Sequence, residues 1–473
     1  MSKLKDIPKP ERPREKFLQK GPDALTKSEL LAILIGTGIK NKNVKQISEQ
    51  IVRKYNNNLL NITVDELLKI SGIGKAKALQ IISSIELVKR LYREIIGYSA
   101  EGVQLPLFDT KVAKNADYEI IGEKIQEKHF CIPRIKQNNI QLQNRRYIGS
   151  KYKLIDWIFS IINKECDEKK SFADVFAGTG VISMVAAHHF NELIVNDHLY
   201  SNYIIYKAFF SSGKWNRDKI DNIIRDYNNI DGSDLEDNYF SEYFGGKYFS
   251  KNSSKIIGFI RENIEKNKNN FTDKEYYILI ASLLYSVDKI ANTVGHYDAY
   301  FKKDYIEDRF FIRSIDPLEV KNISIYREDT NQLAKKIKAD VVYIDPPYNS
   351  RQYSRFYHVL ETLTKWDKPK LYGTALKPIP ENMSDYCRVH AKKRLADLVK
   401  DLNTKYLIVS YNNTYDSKSN SSKNKITLQG IEEILTSKGK TKIFEKDYRH
   451  FNAGNTNFNN HKEYLFVTRV NYE

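Results

Sequence analysis

Apolar positions along this chain follow two rhythms, and the change between them divides it. Up to about residue 92 the spacing is helical. Thr26 caps a helix, Glu29 follows at the capping-box position, and Leu30, Leu31, Ile33 and Leu34 supply an apolar face. Gly36, Thr37 and Gly38 end it, and a second helix carries Val44, Ile47, Ile51 and Val52. A short helix from Asp65 through Leu67, Leu68 and Ile70 meets the turn Ser71-Gly72-Ile73-Gly74. Lys75 then opens a helix bearing Ala78, Ile81, Ile82, Ile85 and Val88. From 91 to 144 the periodicity fades among scattered Gly and Pro, which predicts a linker with local structure, including a short helix over 118–126. Beyond it the rhythm changes. A helix with Leu154, Ile155, Trp157, Ile158, Ile161 and Ile162 is followed by short apolar runs at 172–176, 192–195, 322–326, 341–344, 406–409, 441–446 and 464–468. Helical stretches such as 181–188 and 276–290 lie between them, a pattern that predicts an α/β fold around buried parallel strands.

The candidate chemistry lies where those runs stop. Val341-Val342-Tyr343-Ile344 ends abruptly in Asp345-Pro346-Pro347-Tyr348. Two prolines remove two N–H donors and fix φ, so the Asp345 carboxylate and the Pro346 carbonyl can both face outward as acceptors, with the flat face of Tyr348 beside them. Such a tip suits an exocyclic amine on a planar base. At 176–180, Phe176-Ala177-Gly178-Thr179-Gly180 joins a strand to a helix; it reads either as a structural turn or as a cradle where a ligand lies against backbone. Asp197, after 192–195, is either a helix cap or an acceptor for ribose hydroxyls, and Asp329, after 322–326, is either a surface acid or a ligand acceptor. The stretch between Asp197 and Asp329 exceeds a simple crossover and predicts an inserted helical lobe.

Taken in order, Tyr147-Ile148-Gly149-Ser150-Lys151, the 176–180 turn, Asn196-Asp197 and Asp345-Pro346-Pro347-Tyr348 resemble motifs X, I, II and IV of the Dam-like DNA adenine methyltransferases, over about residues 144–473. The resemblance implies a Rossmann-like class I methyltransferase sheet of about seven strands, with a target-recognition lobe at about 213–315. It implies S-adenosylmethionine as methyl donor, double-stranded DNA as substrate and adenine N6 as acceptor. Asp345, Pro346, Pro347 and Tyr348 would be catalytic. Tyr147 and Lys151 would hold the methionine end of the donor, Phe176, Ala177, Gly178 and Gly180 would line it, Asp197 would take its ribose and Asp329 its adenine. His296 and Tyr297, in a polar aromatic turn similar to the family segment before motif III, would contact DNA near the target, unless that turn packs in the core. Arg351, Tyr353 and Arg355 follow motif IV in a loop dense in cations and aromatics, suited to phosphates and an extruded base. His358 there reads as a packing residue or a DNA donor. A cognate restriction endonuclease is a further partner implied by the resemblance alone.

The helical hairpin at Gly72-Ile73-Gly74 leaves N–H groups free at the start of the next helix, with Lys75 and Lys77 adding charge; it is a capping turn or a helix-hairpin-helix phosphate grip. Residues 7 to 92 are similar to the N-terminal domain of RadC-family proteins, implying DNA or scaffold binding at Gly72, Gly74 and Lys75. That family's His-x-His zinc motif is absent from this sequence. The expected organisation is an all-α domain at 1–95, a linker at 96–143 and a methyltransferase domain at 144–473.

Composition narrows this further. The chain has 473 residues and a net charge of +17, which favours a polyanionic partner over a merely solvated basic surface. Cys131, Cys166 and Cys387 lie far apart, so no disulfide framework is expected, nor any metal site. No run of about 18 apolar residues occurs, and a soluble, cytoplasmic protein without membrane attachment is expected. The tip chemistry alone also admits RNA adenine or cytosine N4 as acceptor, and a non-catalytic DNA-binding scaffold is the reading from another class.

Overall fold

The apolar runs become strands of one sheet whose two faces are both covered. The computed structural model describes residues 12–21, 24–39, 42–55, 62–96, 118–121, 140–303, 305–308, 310–413, 424–447 and 462–471. It divides into two units, Met1–Phe108 and Asp109–Glu473.

In the first unit helices run Pro13–Lys20, Lys27–Ile35, Val44–Tyr55, Val64–Leu68 and Lys75–Ile96. Thr26 with Glu29, and Thr63 with Glu66, form capping boxes, each satisfying two helix-terminal donors. The core gathers Leu31, Ala32, Ile35, Val44, Ile47, Ile51, Leu67, Ile73 and Ala78. Leu30 and Leu34, expected in the apolar face of the second helix, are instead exposed, because the buried stripe runs through Leu31, Ala32 and Ile35. Gly72 has φ +98°, and a Cβ there would come within 2.6 Å of Ile47 Cδ1. Only glycine suits this corner.

In the second unit the strands are β1 (Tyr118–Ile121), β2 (Ser171–Asp174), β3 (Glu192–Asn196), β4 (Ile323–Tyr326), β5 (Lys338–Ile344), β6 (Asn403–Asn412), β7 (Gly439–Asp447) and β8 (Lys462–Val470). They form one sheet in the order β1-β7-β8-β6-β5-β2-β3-β4, parallel except that β8 runs antiparallel to both β6 and β7. Seven of these are the expected methyltransferase strands. The eighth corrects the expected helix over 118–126: Tyr118–Ile121 is a strand paired in parallel with β7, and the rest of that stretch lies outside the described residues. Its Tyr-Glu-Ile-Ile sequence suits an extended chain, and an open sheet edge supplies the ladder. The 96–143 stretch is therefore partly structure of the second unit. The stretch 411–425, whose Asn, Ser and Lys content predicts a loop, lies mostly outside the described residues; its start, Tyr411 and Asn412, belongs to β6.

Successive side chains of β5 divide between the faces. Val341 and Tyr343 join one core, Val342 and Ile344 the other. Burial on both sides explains the unbroken apolar run. Between β3 and β4 lies a helical insertion with Arg217–Asn228, Tyr239–Phe244, Lys251–Lys266 and Asp273–Ile290. Asp273–Ile290 starts in a capping box of Thr272 and Glu275 and is buried along most of its length. Among the described residues no helix is long and apolar enough to cross a membrane.

Candidate active site

Because β2, β3 and β5 are parallel neighbours, their carboxyl ends open on the same edge of the sheet, where ligands of open α/β sheets bind. After β2 the chain turns through Gly178 (φ +53°) and Gly180 (φ +78°) into the helix Val181–Ala186. A Cβ at Gly178 would stand 3.2 Å from Tyr147 Cε1, and one at Gly180 would stand 3.0 Å from Tyr206 Cε1. Both left-handed conformation and close packing therefore call for glycine. Asp197 holds the turn in place: its Oδ2 accepts from Gly178 N at 2.9 Å and its Oδ1 from Leu199 N at 2.8 Å. Burial pushes its pKa up to about 6 against those two hydrogen bonds.

Across the opening the Asp345 carboxylate is bound from two sides. Lys151 Nζ lies 3.2 Å from its Oδ1, and the Tyr348 hydroxyl donates to the same oxygen. Burial raises the Asp345 pKa, and Lys151 opposes that shift. Lys151 also covers the Tyr348 ring at 4.8 Å, while Tyr411 meets that ring edge-on. Tyr147 stacks on Tyr357 at 4.7 Å, with Arg145 over its ring.

One cleft joins these parts. Tyr147, Lys151, Phe176, Ala177, Gly178, Asp197, Asp329, Asp345, Pro346, Pro347 and Tyr348 all line it, so every residue expected at the donor or at catalysis converges there except Gly180, which packs against Tyr206 and Leu142. Tyr353, expected at DNA, lines the same cleft, its hydroxyl donating to Ile148 O and its ring tilted against Tyr147. Asp329 is both a cap for the helix Thr330–Leu333 and the partner of Arg394, whose guanidinium reaches both carboxylate oxygens at 3.1 Å.

The remaining expected DNA contacts fall outside the cleft lining. His296 stacks on Phe356 at 4.6 Å. Tyr297 corrects the expectation of a DNA contact: it is fully buried, donates to Asp288 Oδ1 at 3.1 Å, and has no surface to offer a partner. Arg355 is half-buried and donates to Pro378 O, and Arg351 lies over Phe356. His358 is a packing residue, with both ring nitrogens against carbonyls of Arg355 and Ala375, and burial lowers its pKa to about 4. In the first unit Gly74 and Lys75 are exposed at the helix start, whereas Lys77 is taken up by Thr37 O and Gly72 O.

Sequence reasoning missed three contributors. Asp174, at the end of β2, lines the cleft; Ser183 donates to its Oδ2 at 2.6 Å, its Oδ1 has no hydrogen-bond partner among the described residues, and burial lifts its pKa to about 7. Its place just ahead of the glycine turn was the available signal. Tyr386 packs edge-on against Phe176, and Glu463 of β8 stands 3.7 Å from Lys151. Neither carries a local motif, since both reach the site only through tertiary folding. The lining fits a nucleoside bearing a charged amino-acid tail. It offers an unpartnered buried carboxylate oxygen for an ammonium, an acid at the second strand tip, aromatic walls and a backbone turn that admits close approach.

Fold and cleft together define a class I methyltransferase. Residues 147–422 match the family model for D12 class N6 adenine-specific DNA methyltransferases, and 4–79 match that of the UPF0758 N-terminal domain, which is RadC-like. The chain belongs to the D12 class family, with S-adenosylmethionine as methyl donor and adenine N6 in DNA as acceptor. It is similar to the Type II methyltransferase M.CviAII of Paramecium bursaria Chlorella virus 1, 33% identical over 68% of this chain and 98% of the relative. The Type II methyltransferase M.NlaIII of Neisseria lactamica is 30% identical over 68% and 98% respectively. A UPF0758 protein of Clostridium kluyveri is 44% identical over 90 residues, 19% of this chain and 40% of the relative.

Proposed function

We propose that this chain is a site-specific modification methylase that protects DNA from a cognate restriction endonuclease, and that Asp345 and the Pro346 carbonyl receive the target amine. The observation that carries this reading is the convergence of the Asp345-to-Tyr348 tip and the Gly178 turn on one cleft. When bound, S-adenosylmethionine supplies an electrophilic methyl on a sulfonium. Asp174 would hold its ammonium, Asp197 its ribose, and Phe176, Ala177 and Gly178 its sides. Asp329 would serve the adenine end only by sharing its carboxylate with Arg394.

The N6 lone pair of adenine is conjugated into the ring and is a poor nucleophile. Two acceptors on its N–H bonds stabilise the positive charge that develops on nitrogen and aim the lone pair, so orientation and electrostatics lower the barrier. In the structure Tyr348 and Lys151 occupy Asp345 Oδ1, so the incoming amine displaces or shares an internal donor. The tip cannot reach an amine inside a stacked duplex, and the base is therefore flipped out beside Tyr348 and Tyr353. The likeness to Type II methyltransferases supports the protective role.

The test is transfer of labelled methyl to DNA and, separately, to RNA, followed by nucleoside identification, with Asp345→Ala as control. N6-methyladenine in DNA at one short recognition sequence, lost in the variant, is the expected result. Label confined to RNA or to cytosine N4 would overturn the substrate while keeping the chemistry.

A further inference from the structure

Behind Asp345 lies a second buried acid that the amine-binding geometry does not use. Glu463 on β8, opposite Asn412 of β6, places Oε2 at 3.7 Å from Lys151 Nζ, and the same ammonium is 3.2 Å from Asp345 Oδ1. Side-chain exposure is 4% for both Lys151 and Glu463 and 15% for Asp345. One carboxylate would suffice to neutralise this lysine. Two carboxylates around one ammonium keep a net negative charge out of water, which is costly, so the group gains by taking up one more proton. The other titratable groups facing Asp345 are Asp174, Tyr343, Tyr348 and Tyr353. Burial keeps the three tyrosines protonated, and Asp174 lies at the glycine-turn end of the cleft.

Methylation of an amine creates a proton to dispose of. The N–C bond forms as the C–S bond breaks with its electron pair going to sulfur, and the nitrogen stays positive until an N–H is lost. We propose that Asp345, Lys151 and Glu463 form a proton relay that carries this proton from the methylated amine into the protein. Asp345 takes it from nitrogen; Lys151 gives one of its own to Glu463 and is refilled from Asp345. The step ends with Asp345 a carboxylate, Lys151 an ammonium and Glu463 a neutral acid, which later loses its proton to solvent. The inference rests on Asp345 being the amine acceptor, as read above.

Glu463→Gln and Asp345→Ala are compared by single-turnover methylation of DNA across pH, with donor affinity measured by calorimetry. The relay predicts that Glu463→Gln binds donor normally and turns over on the order of a hundredfold more slowly, the low end for a side chain moving a proton. It also predicts a changed pH profile and partial rescue by Glu463→Asp. A wild-type rate in Glu463→Gln with Asp345→Ala inactive overturns the relay alone. An active Asp345→Ala overturns the amine-acceptor reading with it. A uniform loss at every pH without rescue marks Glu463 as structural and also overturns the relay.

A donor-free readout is independent of turnover. Burial raises Glu463 to about 7, so its contribution to stability is complete below the unfolded carboxylate range and is lost as pH rises through that value. Glu463→Gln should therefore gain in melting temperature relative to wild type between pH 5 and 8, and a constant difference counts against the relay. Should the variant not fold, wild-type single turnovers in mixed heavy water decide: more than one proton in flight supports the relay, a single one overturns it.

Discussion

At the scale of single residues, the site depends on a few side chains whose charge is set by burial. Replacing Asp345 with alanine removes an acceptor that acts as charge develops, and a loss of about a hundred- to thousandfold in kcat is expected with donor affinity retained. Single-turnover rates and calorimetry check both halves. Asp174 makes a different prediction. Its pKa is lifted to about 7, and a bound ammonium favours its ionised form. Donor affinity should therefore fall as pH drops below that value, and Asp174→Asn should flatten the dependence; equal slopes in calorimetry would remove Asp174 from the donor site. The sequence made Asp345 and Gly178 legible because their chemistry is written in adjacent residues. It did not disclose Glu463 or Tyr386, which become neighbours of the site only when β8 and the 382–387 segment fold against it. Tyr297 misled for a related reason: a polar aromatic turn reads the same whether its rings face solvent or, as here, Asp288 and the core.

Elements were legible where both faces are buried or a cap is explicit. The β5 run and the Thr26 capping box are local patterns with local causes. β1 was not, since four residues in a stretch without clear periodicity extend because the β7 edge is there to receive them. The hairpin of the first unit gives a sharp test. Gly72→Ala forces a side chain into a left-handed position against Ile47 and should cost roughly 1–3 kcal/mol of that unit's stability. Denaturation followed by a probe in the first unit of the full chain checks this. Tyr297→Phe should lower stability by about 1 kcal/mol through the lost bond to Asp288 and leave DNA affinity unchanged; a specific loss of DNA binding would return this residue to the interface.

For the whole molecule, the surplus of 17 positive charges makes affinity for duplex a salt-dependent quantity. Removing residues 1–95 should weaken nonspecific duplex binding and flatten its salt slope, if Gly72, Gly74 and Lys75 grip phosphate. Unchanged affinity and slope would leave that unit a scaffold. Strand order has a consequence during synthesis. β8 is the last strand of the sheet to emerge from the ribosome, yet it lies inside the sheet, between β6 and β7. Until it arrives, both neighbours present unpaired edges, which exposes the nascent protein to aggregation. A chain cut short before residue 462 would keep every motif named in the cleft but lack Glu463 and the strand that closes the sheet, so nonsense truncation should yield insoluble, degradable product rather than a partly active enzyme.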